Sequence, residues 1–302
     1  MVRGTYTIYL DGEEVLRSDN IITNFGKIAI LRYLAGNISN YAGAVSVGVS
    51  DKLTSPSDFT LDYELARVPI TYKTITPPTS SIIFKSTFGS GLAGKIYEIG
   101  LFPSIENIIS GLYQTATLFE FDIDETWQGI PLRDIENARI GTSSAQISAA
   151  AGLQAMIYVN DIRLDLSGYS STDVFKLAFN TFDTNCSSIT VKFVNNLGSE
   201  MTGTFTPVAH TASNGSPQYQ IVTITKNSFS NLAADWSSII RAEVSLTAGV
   251  GDSVVSIDGL KVVDADNLNP DYGMISRTTL STPITKDANQ TMDVEYSLVV
   301  PL

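Results

Sequence analysis

Alternating apolar and polar positions run through most of the chain and predict a protein built mainly from β-strands. Near the start, Tyr6, Ile8 and Leu10 alternate with more polar neighbours. At the other end, residues 292–300 place apolar side chains on one face and acidic or hydroxyl side chains on the other. A lone terminal strand leaves its backbone groups unpaired. We therefore expect this last strand to join a sheet in the N-terminal part, with the opening strand as one partner.

One segment has the period of a helix instead. Ile28, Leu31 and Leu34 recur at intervals of three and form a single apolar stripe. Asn24 precedes them and is a residue type that commonly caps a helix N-terminus. We predict one helix near residues 26–35, capped by Asn24, whose stripe packs on a sheet formed by the flanking strands.

Further strands are expected at residues 44–49, 82–88 and 95–102, where short apolar or alternating runs are bounded by turn residues. The segment 64–72 contains Pro69, which cannot donate a backbone hydrogen bond. It is therefore predicted to be an edge strand.

After Pro103 the chain continues as a long series of short strand candidates separated by turns rich in glycine, asparagine, serine and aspartate. Their number and spacing are typical of a two-sheet jelly roll. The candidates are residues 115–122, 139–148, 156–166, 174–180, 189–194, 203–208, 219–225, 240–247 and 254–263.

The predicted fold class is therefore mainly β. An α+β anchor domain, formed by residues 1–104 plus 272–302, is interrupted by an antiparallel jelly-roll β-sandwich at residues 105–271. A length of 302 residues is comfortable for two hydrophobic cores.

Composition narrows the function classes. The chain carries 31 acidic and 19 basic residues, a net charge of −12, which argues against a nucleic-acid-binding surface. No apolar run approaches the roughly 20 residues of a membrane span. The opening stretch alternates and lacks a signal-peptide core, so we expect no export by that route.

The residue types present argue against a catalytic or metal site. One cysteine, Cys186, excludes an internal disulfide and a multi-cysteine zinc site. One histidine, His210, lies in a loop-like segment without a nucleophile elbow, which argues against a Ser-His-Asp triad. We predict no catalytic residues, no cofactor and no enzymatic activity, with paired carboxylates for glycoside cleavage as the competing hypothesis.

An ordered set of short motifs in the predicted anchor domain resembles a β-rich module of tailed-bacteriophage virion proteins of the tail, baseplate and fibre type. The set comprises Asn24-Phe25-Gly26-Lys27, a helix, Ser46-Val47-Gly48-Val49, Glu64-Leu65-Ala66-Arg67, Glu98-Ile99-Gly100-Leu101-Phe102 and a C-terminal segment. The residues matched to the module are Asn24, Gly26, Arg67, Glu98, Gly100, Pro283, Lys286 and Glu295.

This resemblance implies a structural component of a tailed-phage virion, most simply in the tail or baseplate, assembled in the host cytoplasm. Its partners would be other virion proteins and further copies of itself, with no nucleic acid and no membrane. A capsid decoration or head-fibre protein is the alternative assembly role. Glu98, although a carboxylate, is expected to be structural.

The inserted segment is similar in its order of motifs to carbohydrate-binding-module-like jelly rolls. The resemblance rests on Phe119-Glu120-Phe121, Trp127, the run 162–169, Trp236 and the closing Ile257-Asp258-Gly259-Leu260-Lys261-Val262. It implies an outward-facing unit for protein or glycan contact. The alternative function is a receptor-recognition protein that binds or degrades host-surface glycan.

Sugar rings stack on flat aromatic side chains, so four residues are the glycan-contact candidates. They are Trp127, Tyr158, Tyr169 and Trp236. The competing interpretation is that both tryptophans fill the sandwich core, and it is favoured for Trp236, which lies near Ile239-Ile240.

An oxygen-rich cluster at the end of the insertion could ligate calcium. Its acidic members are Asp264, Asp266 and Asp271, with Asp122 and Asp124 as a weaker pair elsewhere. The cluster lacks the mid-loop glycine and terminal glutamate of an EF-hand. The same residues serve equally as a solvated linker, and no metal site is assigned.

Overall fold

The computed structural model describes residues 3–299 except 39, 105–114, 120, 122–126, 130, 212–215 and 265–272. The chain divides into two compact units. The first unit consists of Met1–Ile109 and Leu268–Leu302, and the second consists of Ser110–Asn267.

The described residues form one α-helix, two short 3₁₀ turns (Pro77–Thr79 and Lys226–Ser228) and a long series of strands. The helix is α1 (Asn24–Leu34). In chain order the strands are β1 (Arg3–Leu10), β2 (Glu13–Asp19), β3 (Ile21–Ile22), β4 (Ala44–Gly48), β5 (Glu64–Pro69), β6 (Tyr72–Thr76), β7 (Ser81–Phe88), β8 (Gly94–Phe102), β9 (Thr115–Phe119), β10 (Leu132–Asp134), β11 (Ser144–Ala149), β12 (Gln154–Leu164), β13 (Val174–Thr181), β14 (Cys186–Asn195), β15 (Glu200–Phe205), β16 (Gln218–Thr225), β17 (Ile239–Ala248), β18 (Ser253–Val263), β19 (Ser276–Lys286) and β20 (Met292–Val299).

The first unit contains two antiparallel five-stranded sheets. Sheet A has the order β2-β1-β20-β7-β6, and sheet B has the order β3-β19-β8-β4-β5. Their apolar faces share one core, to which β1, β7 and β20 contribute from sheet A and β4, β8 and β19 from sheet B. The described residues of the predicted α+β anchor domain therefore form two sheets and one helix.

The last strand lies where its pattern predicted. β20 pairs with β1 along its whole length on one side and with β7 on the other. Tyr6 stands opposite Tyr296, and the two rings are 4.9 Å apart. Met292, Val294 and Leu298 point into the core from the same face of β20, which confirms the predicted alternation.

The prediction for the strand that contains Pro69 is also confirmed. β5, which ends at Pro69, is an edge strand of sheet B, so the missing N–H breaks no ladder hydrogen bond. The turn between β1 and β2 is Asp11-Gly12, where both residues have positive φ angles of 49° and 89°.

The cap of α1 differs from the prediction. Thr23, not Asn24, is the N-cap residue, and its hydroxyl accepts a hydrogen bond from the N–H of Gly26. Asn24 is already helical, and its backbone N–H donates to the Pro56 carbonyl at 2.8 Å. Threonine and asparagine both suit an N-cap position. The hydrogen bond from the Asn24 N–H to the Pro56 carbonyl fixes Asn24 inside the helix and leaves Thr23 as the cap. Within the described part of the chain, no helix is long and apolar enough to cross a membrane.

The predicted packing of the helix stripe is wrong. Ile28, Leu31 and Leu34 are 43%, 67% and 76% exposed. The helix rests on Gly26, where an added Cβ would lie 2.0 Å from the carbonyl oxygen of Ile275. This close backbone contact sets the rotation of the helix and turns the apolar stripe outward.

The second unit is an antiparallel β-sandwich with jelly-roll strand order. Sheet C has the order β10-β11-β18-β13-β16, with β9 also on β18, and sheet D has the order β12-β17-β14-β15. The pairs β11–β18, β12–β17, β13–β16 and β14–β15 make the segment one long two-stranded ribbon folded over itself. The large core between the sheets includes Phe175, Phe179, Phe193 and Trp236. The predicted strand at 139–148 begins only at Ser144.

The chain enters and leaves the second unit through neighbouring strands. Thr115 of β9 pairs with Val263 of β18. In the first unit, Leu101 of β8 pairs with Ser276 of β19. Paired Cα atoms lie about 5 Å apart, so each unit holds its own two connections side by side.

This arrangement predicts that the first unit survives loss of the second. Replacing residues 106–270 by a short Gly/Ser linker should leave a folded protein, because the linker has only to join two strands that already pair. Circular dichroism should show β-structure that melts in one cooperative transition. An unfolded deletion variant, together with an unstable isolated segment 110–267, would contradict the two-domain organisation.

Candidate functional site

Trp236 belongs to the core of the sandwich. Its side chain is 4% exposed and packs against Phe175, Phe193 and Phe229, with ring centroids 5.5–6.4 Å away. It also lies 4.8 Å from the ammonium of Lys226, a cation–π contact. The core interpretation therefore holds for Trp236, and no face of the ring is free for a sugar.

Trp127 and Tyr169 also pack against this core. Trp127 stacks on Phe121 at 4.7 Å and meets Phe119 edge-on at 5.4 Å. Tyr169 is partly buried, and burial is the main cause that raises its pKa. Its carbonyl accepts a hydrogen bond of 2.6 Å from Lys226. Both aromatic residues thus have structural contacts that account for their positions.

Tyr158 is placed differently, on the outer face of sheet D. It lies on the edge strand β12, between the core residues Ile157 and Val159, so its ring points away from the core. The guanidinium of Arg241 on β17 lies 4.4 Å from the ring centroid. The ring is partly exposed.

The backbone of Tyr158 is fixed by a short bridge. Gln128 N–H donates to the Tyr158 carbonyl at 2.8 Å, and Tyr158 N–H donates back at 3.0 Å. Gly129 follows with φ +99°, and a Cβ there would lie 2.3 Å from the Met156 carbonyl oxygen. A glycine is therefore required for the chain to approach the sheet edge beside Tyr158.

Charged side chains continue the surface from Tyr158 across the sheet. The strand register places Glu243 of β17 opposite Tyr158, and Lys192 of β14 opposite Glu243. Glu243 pairs with Arg241 at 2.8 Å and with Lys192 at 3.0 Å. Lys192 also reaches Glu200 at 3.2 Å, and the hydrogen bond to Glu243 is the main cause that raises its pKa. These five residues (Tyr158, Arg241, Glu243, Lys192 and Glu200) are the sheet D surface.

The sheet D surface combines an aromatic ring with charged donors and acceptors in a fixed row. Only Tyr158 could be selected from the sequence, because it is aromatic. The other four residues come together through strand register, and isolated charged residues on strands are too common to single out.

A second polar cluster lies on the outer face of sheet C and was not predicted. Asp258 is the extra residue of a β-bulge in β18, which aims its side chain away from the core. One carboxylate oxygen accepts from the N–H groups of Arg139 and Ile140, at 3.0 and 3.1 Å, and from the Tyr219 hydroxyl at 2.8 Å. The other oxygen has no hydrogen-bond partner among the described residues.

Burial raises the pKa of Asp258 to about 7, against the opposing effect of these hydrogen bonds. The carboxylate anchors the loop at residues 139–140 to the sheet, and Arg139 lies over the Tyr219 ring at 3.9 Å. The sequence signal was the Ile257-Asp258-Gly259 motif, but the bulge and the burial could not be read from it.

The calcium candidates find no support in the described part of the chain. Asp264 is described, whereas Asp266 and Asp271, like Asp122 and Asp124, lie outside the described residues. Among the described residues, no group of three His, Cys, Asp or Glu side chains could hold a metal ion.

Three of the residues matched to the virion module, Glu98, Arg67 and Lys286, belong to the polar interior of the first unit. Glu98 on β8 is fully buried and accepts hydrogen bonds from the N–H groups of Tyr63, Asp62 and Ser50, at 2.9, 3.0 and 3.4 Å. Arg277 on β19 donates to it at 2.8 Å. Burial raises the pKa of Glu98, while Arg277 opposes that shift. This carboxylate is saturated by structural partners.

Arg277 and Arg67 are held equally firmly. Arg277 is 1% exposed and also pairs with Asp58 at 2.6 Å. Arg67 donates twice to Glu64, at 3.1 and 2.7 Å, and lies 3.5 Å from the Phe102 ring centroid. Buried arginine–carboxylate pairs such as these fix geometry more than they add net stability.

Lys286 lies between two turns of the first unit. Its ammonium donates to the carbonyls of Gly89, Leu92 and Gln290, at 3.0, 2.8 and 2.8 Å, and to that of Asp287 at 3.3 Å. One buried cation thereby ties the β7–β8 turn to the β19–β20 turn.

The remaining matched residues also have packing roles. Glu295 pairs with Lys85 on the neighbouring strand. Pro283 lies within the register shift of β19, where no ladder hydrogen bond is required. A Cβ at Gly100 would lie 2.7 Å from the sulfur of Met274. None of the eight matched residues contributes to an open site.

Comparisons with known proteins give likenesses in fold class alone. No family model and no curated protein matches the chain. The family 30 carbohydrate-binding module of a cellulosomal cellulase of Clostridium thermocellum is 15% identical, with a TM-score of 0.36, and the match covers 52% of this chain and 93% of that one. The family 11 carbohydrate-binding module from Clostridium thermocellum, in complex with a β-1,3-1,4-mixed-linked tetrasaccharide, is 11% identical at a TM-score of 0.36, covering 49% and 94%. An exo-β-agarase is 12% identical at 0.33, covering 48% of this chain and 25% of its own.

The buried ion pair of the first unit yields a stability prediction. Glu98→Gln should lower the free energy of unfolding of the first unit by about 2 kcal/mol, because Arg277 loses one buried charged hydrogen-bond partner and keeps only Asp58 as its counter-charge. Both tryptophans lie in the second unit, so tryptophan fluorescence follows that unit, and amide exchange on β8 follows the first. The substitution should speed amide exchange on β8 and leave the unfolding followed by tryptophan fluorescence unchanged. The exposed pair Arg17–Glu14 supplies the control: Glu14→Gln should change stability by less than about 1 kcal/mol.

The Asp258 cluster yields a pH prediction for the second unit. A folded pKa of about 7, against roughly 3.9 in the unfolded chain, means that the folded state binds the proton more tightly. This contribution to stability is fully present below about pH 4 and is lost as the pH rises through 7. Urea unfolding followed by tryptophan fluorescence should give a lower free energy of unfolding at pH 8 than at pH 5. This difference should be smaller in Asp258→Asn. Equal falls in both proteins would contradict the assignment.

Proposed function

We propose that this chain is a non-catalytic protein that binds carbohydrate on the sheet D surface, with Tyr158 as the stacking residue. The observation that carries the proposal is the position of Tyr158. It is the one glycan-contact candidate whose ring lies on the outer face of a sheet, rather than packed against the core cluster. A partly exposed ring offers its apolar face to the C–H groups of a sugar.

The neighbouring charges support a hydroxyl-rich ligand without strong net charge. Arg241 and Lys192 supply donors and Glu200 supplies an acceptor, while the buried Glu243 holds both cations in place. Two cations and two carboxylates balance, so the surface favours neither an anionic nor a cationic glycan. Sugar hydroxyls both donate and accept, and they can bridge such pairs.

The same pairing favours binding over hydrolysis. Glycoside cleavage requires one carboxylic acid that can give up a proton and a second carboxylate at a fixed separation. Here both oxygens of Glu243 are engaged by cations, and Glu200 faces Lys192. The sheet D surface thus offers recognition groups in place of a free acid. Release of reducing ends from a bound polysaccharide would establish the enzymatic alternative.

We also propose a role for the first unit as the attachment of this sandwich to a tailed-phage virion, in the tail or baseplate, or on the capsid as a decoration or head fibre. The ordered motifs support this role, since all eight matched residues serve the scaffold of one unit. The outward-facing apolar stripe of α1 is consistent with association in a larger assembly. A map of the particle that locates this subunit would test it.

The carbohydrate proposal predicts a specific loss. Tyr158→Ala should weaken binding to any glycan retained on a glycan array by about tenfold or more, whereas Tyr158→Phe should keep most of it, because stacking needs the ring and not the hydroxyl. Tyr72→Ala provides the matched control, since Tyr72 is 52% exposed on the first unit.

The opposite results are equally informative. If Tyr158→Ala and Tyr72→Ala bind with the affinity of the unaltered protein, the sheet D surface is not the glycan site. If the unaltered protein retains no glycan on a broad array, carbohydrate binding itself is contradicted. Tryptophan fluorescence checks that the second unit of each variant is folded.

A further inference from the structure

A groove of about 720 Å³ opens in the first unit between α1 and the inner face of sheet A. Its volume lies within the range of ligand sites. The lining is mainly apolar, with side chains from α1, β6, β7 and β20. The apolar residues are Ile30, Tyr33, Leu34, Tyr41, Ile75, Ile82, Phe84 and Leu298.

The groove exists because the apolar face of sheet A extends beyond its cover. Ile75 on β6 stands directly opposite Ile82 on β7, so both point to the same face, the one that carries the core residue Phe84. Phe84 is 4% exposed, yet Ile75 is 69% exposed. Leu34, on the helix side, is 76% exposed. The core of the unit thus continues into an open apolar surface.

A buried polar group points to a missing partner at this site. Tyr41 lines the groove and is 7% exposed. Its hydroxyl has no hydrogen-bond partner among the described residues. Buried hydroxyl groups are normally satisfied, so a bound molecule that offers an acceptor would complete the site.

The charges around the groove indicate what kind of molecule fits. Among the described residues that line it, Lys73 is the one charged side chain and none is acidic, although the chain as a whole has a net charge of −12. The Lys73 ammonium lines the groove and donates to the Ala42 carbonyl at 2.8 Å, but it pairs with no carboxylate among the described residues. An acidic partner complements this rim. A second copy docking through the same surface would place like charges together.

The edge position of β6 indicates the shape of the partner. In the described part of the chain β6 pairs with β7 alone and is the last strand of sheet A. Its free edge adjoins the groove, which Lys73, Thr74 and Ile75 line. An extended segment can add to such an edge, with alternate side chains entering the groove.

We propose that this groove receives an extended segment of a partner protein, added beside β6, with apolar side chains in the groove and an acidic side chain near Lys73. The inference goes beyond both functions proposed above. It names a surface that neither the sandwich nor the polar interior of the first unit uses.

The test uses the full chain and two synthetic peptides of about ten residues. One alternates valine and threonine with a glutamate in place of one central valine, so that the glutamate shares the groove-facing side with Lys73, and the other carries lysine at that position. Fluorescence anisotropy should show binding of the acidic peptide and at least tenfold weaker binding of the basic one. Ile75→Glu and Leu34→Glu should each weaken the acidic peptide about tenfold, and Lys73→Glu should reverse the preference.

Val250→Glu is the matched control, because it introduces the same charge at an apolar residue that is 99% exposed in the second unit. It should leave binding unchanged. Methylating alternate backbone nitrogens of the acidic peptide should abolish binding, since strand addition needs those N–H groups.

Three results would overturn the proposal. Equal binding of both peptides, or binding of neither, removes the acidic segment as the occupant. Self-association of the unaltered protein that Leu34→Glu abolishes assigns the groove to a second copy. Binding of dodecanoate without binding of either peptide assigns it to a small amphiphile.

Discussion

The first unit depends on a carboxylate that has no access to water. Glu98 is buried between β8 and the loop at residues 50–63, and it is tolerable there because Arg277 and several backbone N–H groups surround it. Removing Arg277 leaves the Glu98 carboxylate buried without this counter-charge, which costs several kcal/mol, whereas removing Glu98 leaves Arg277 paired with Asp58. The two residues lie on the two strands that flank the second unit in sequence. The same interaction therefore fixes the interior of the first unit and joins its two chain segments.

Hydrophobic periodicity predicted the secondary structure of this protein well where one face of an element is buried and the other is exposed to solvent. β20 is the clearest case, since its alternation identified both its face and its need for partners. The jelly roll was also accessible, because many short strands with regular turns have few other arrangements. The prediction that the apolar stripe of α1 packs on a sheet was wrong for a physical reason. The backbone contact at Gly26 sets the orientation of α1, and a glycine contact leaves no trace in a hydrophobic pattern.

The functional surfaces were harder to predict than the fold. Tyr158 could be named as an aromatic candidate, but nothing in the sequence separates it from Trp127 and Tyr169, which pack against the core. The charged neighbours of Tyr158 come from three other strands, and only the register brings them into one row. Asp258 shows the same limit, since a one-residue bulge changes which way its carboxylate points and how deeply it is buried.

The side-by-side connections of the two units bear on the order of folding. The Glu98–Arg277 contact joins residues 179 positions apart, and closing such a loop in an unstructured chain is slow and entropically costly. If the sandwich folds first, Thr115 and Val263 become neighbours, and the loop that the first unit must close shrinks to two short connections. The folded second unit then assists the folding of the first unit within the same chain. A mutation deep in the sandwich would slow assembly of the first unit without touching a single one of its contacts.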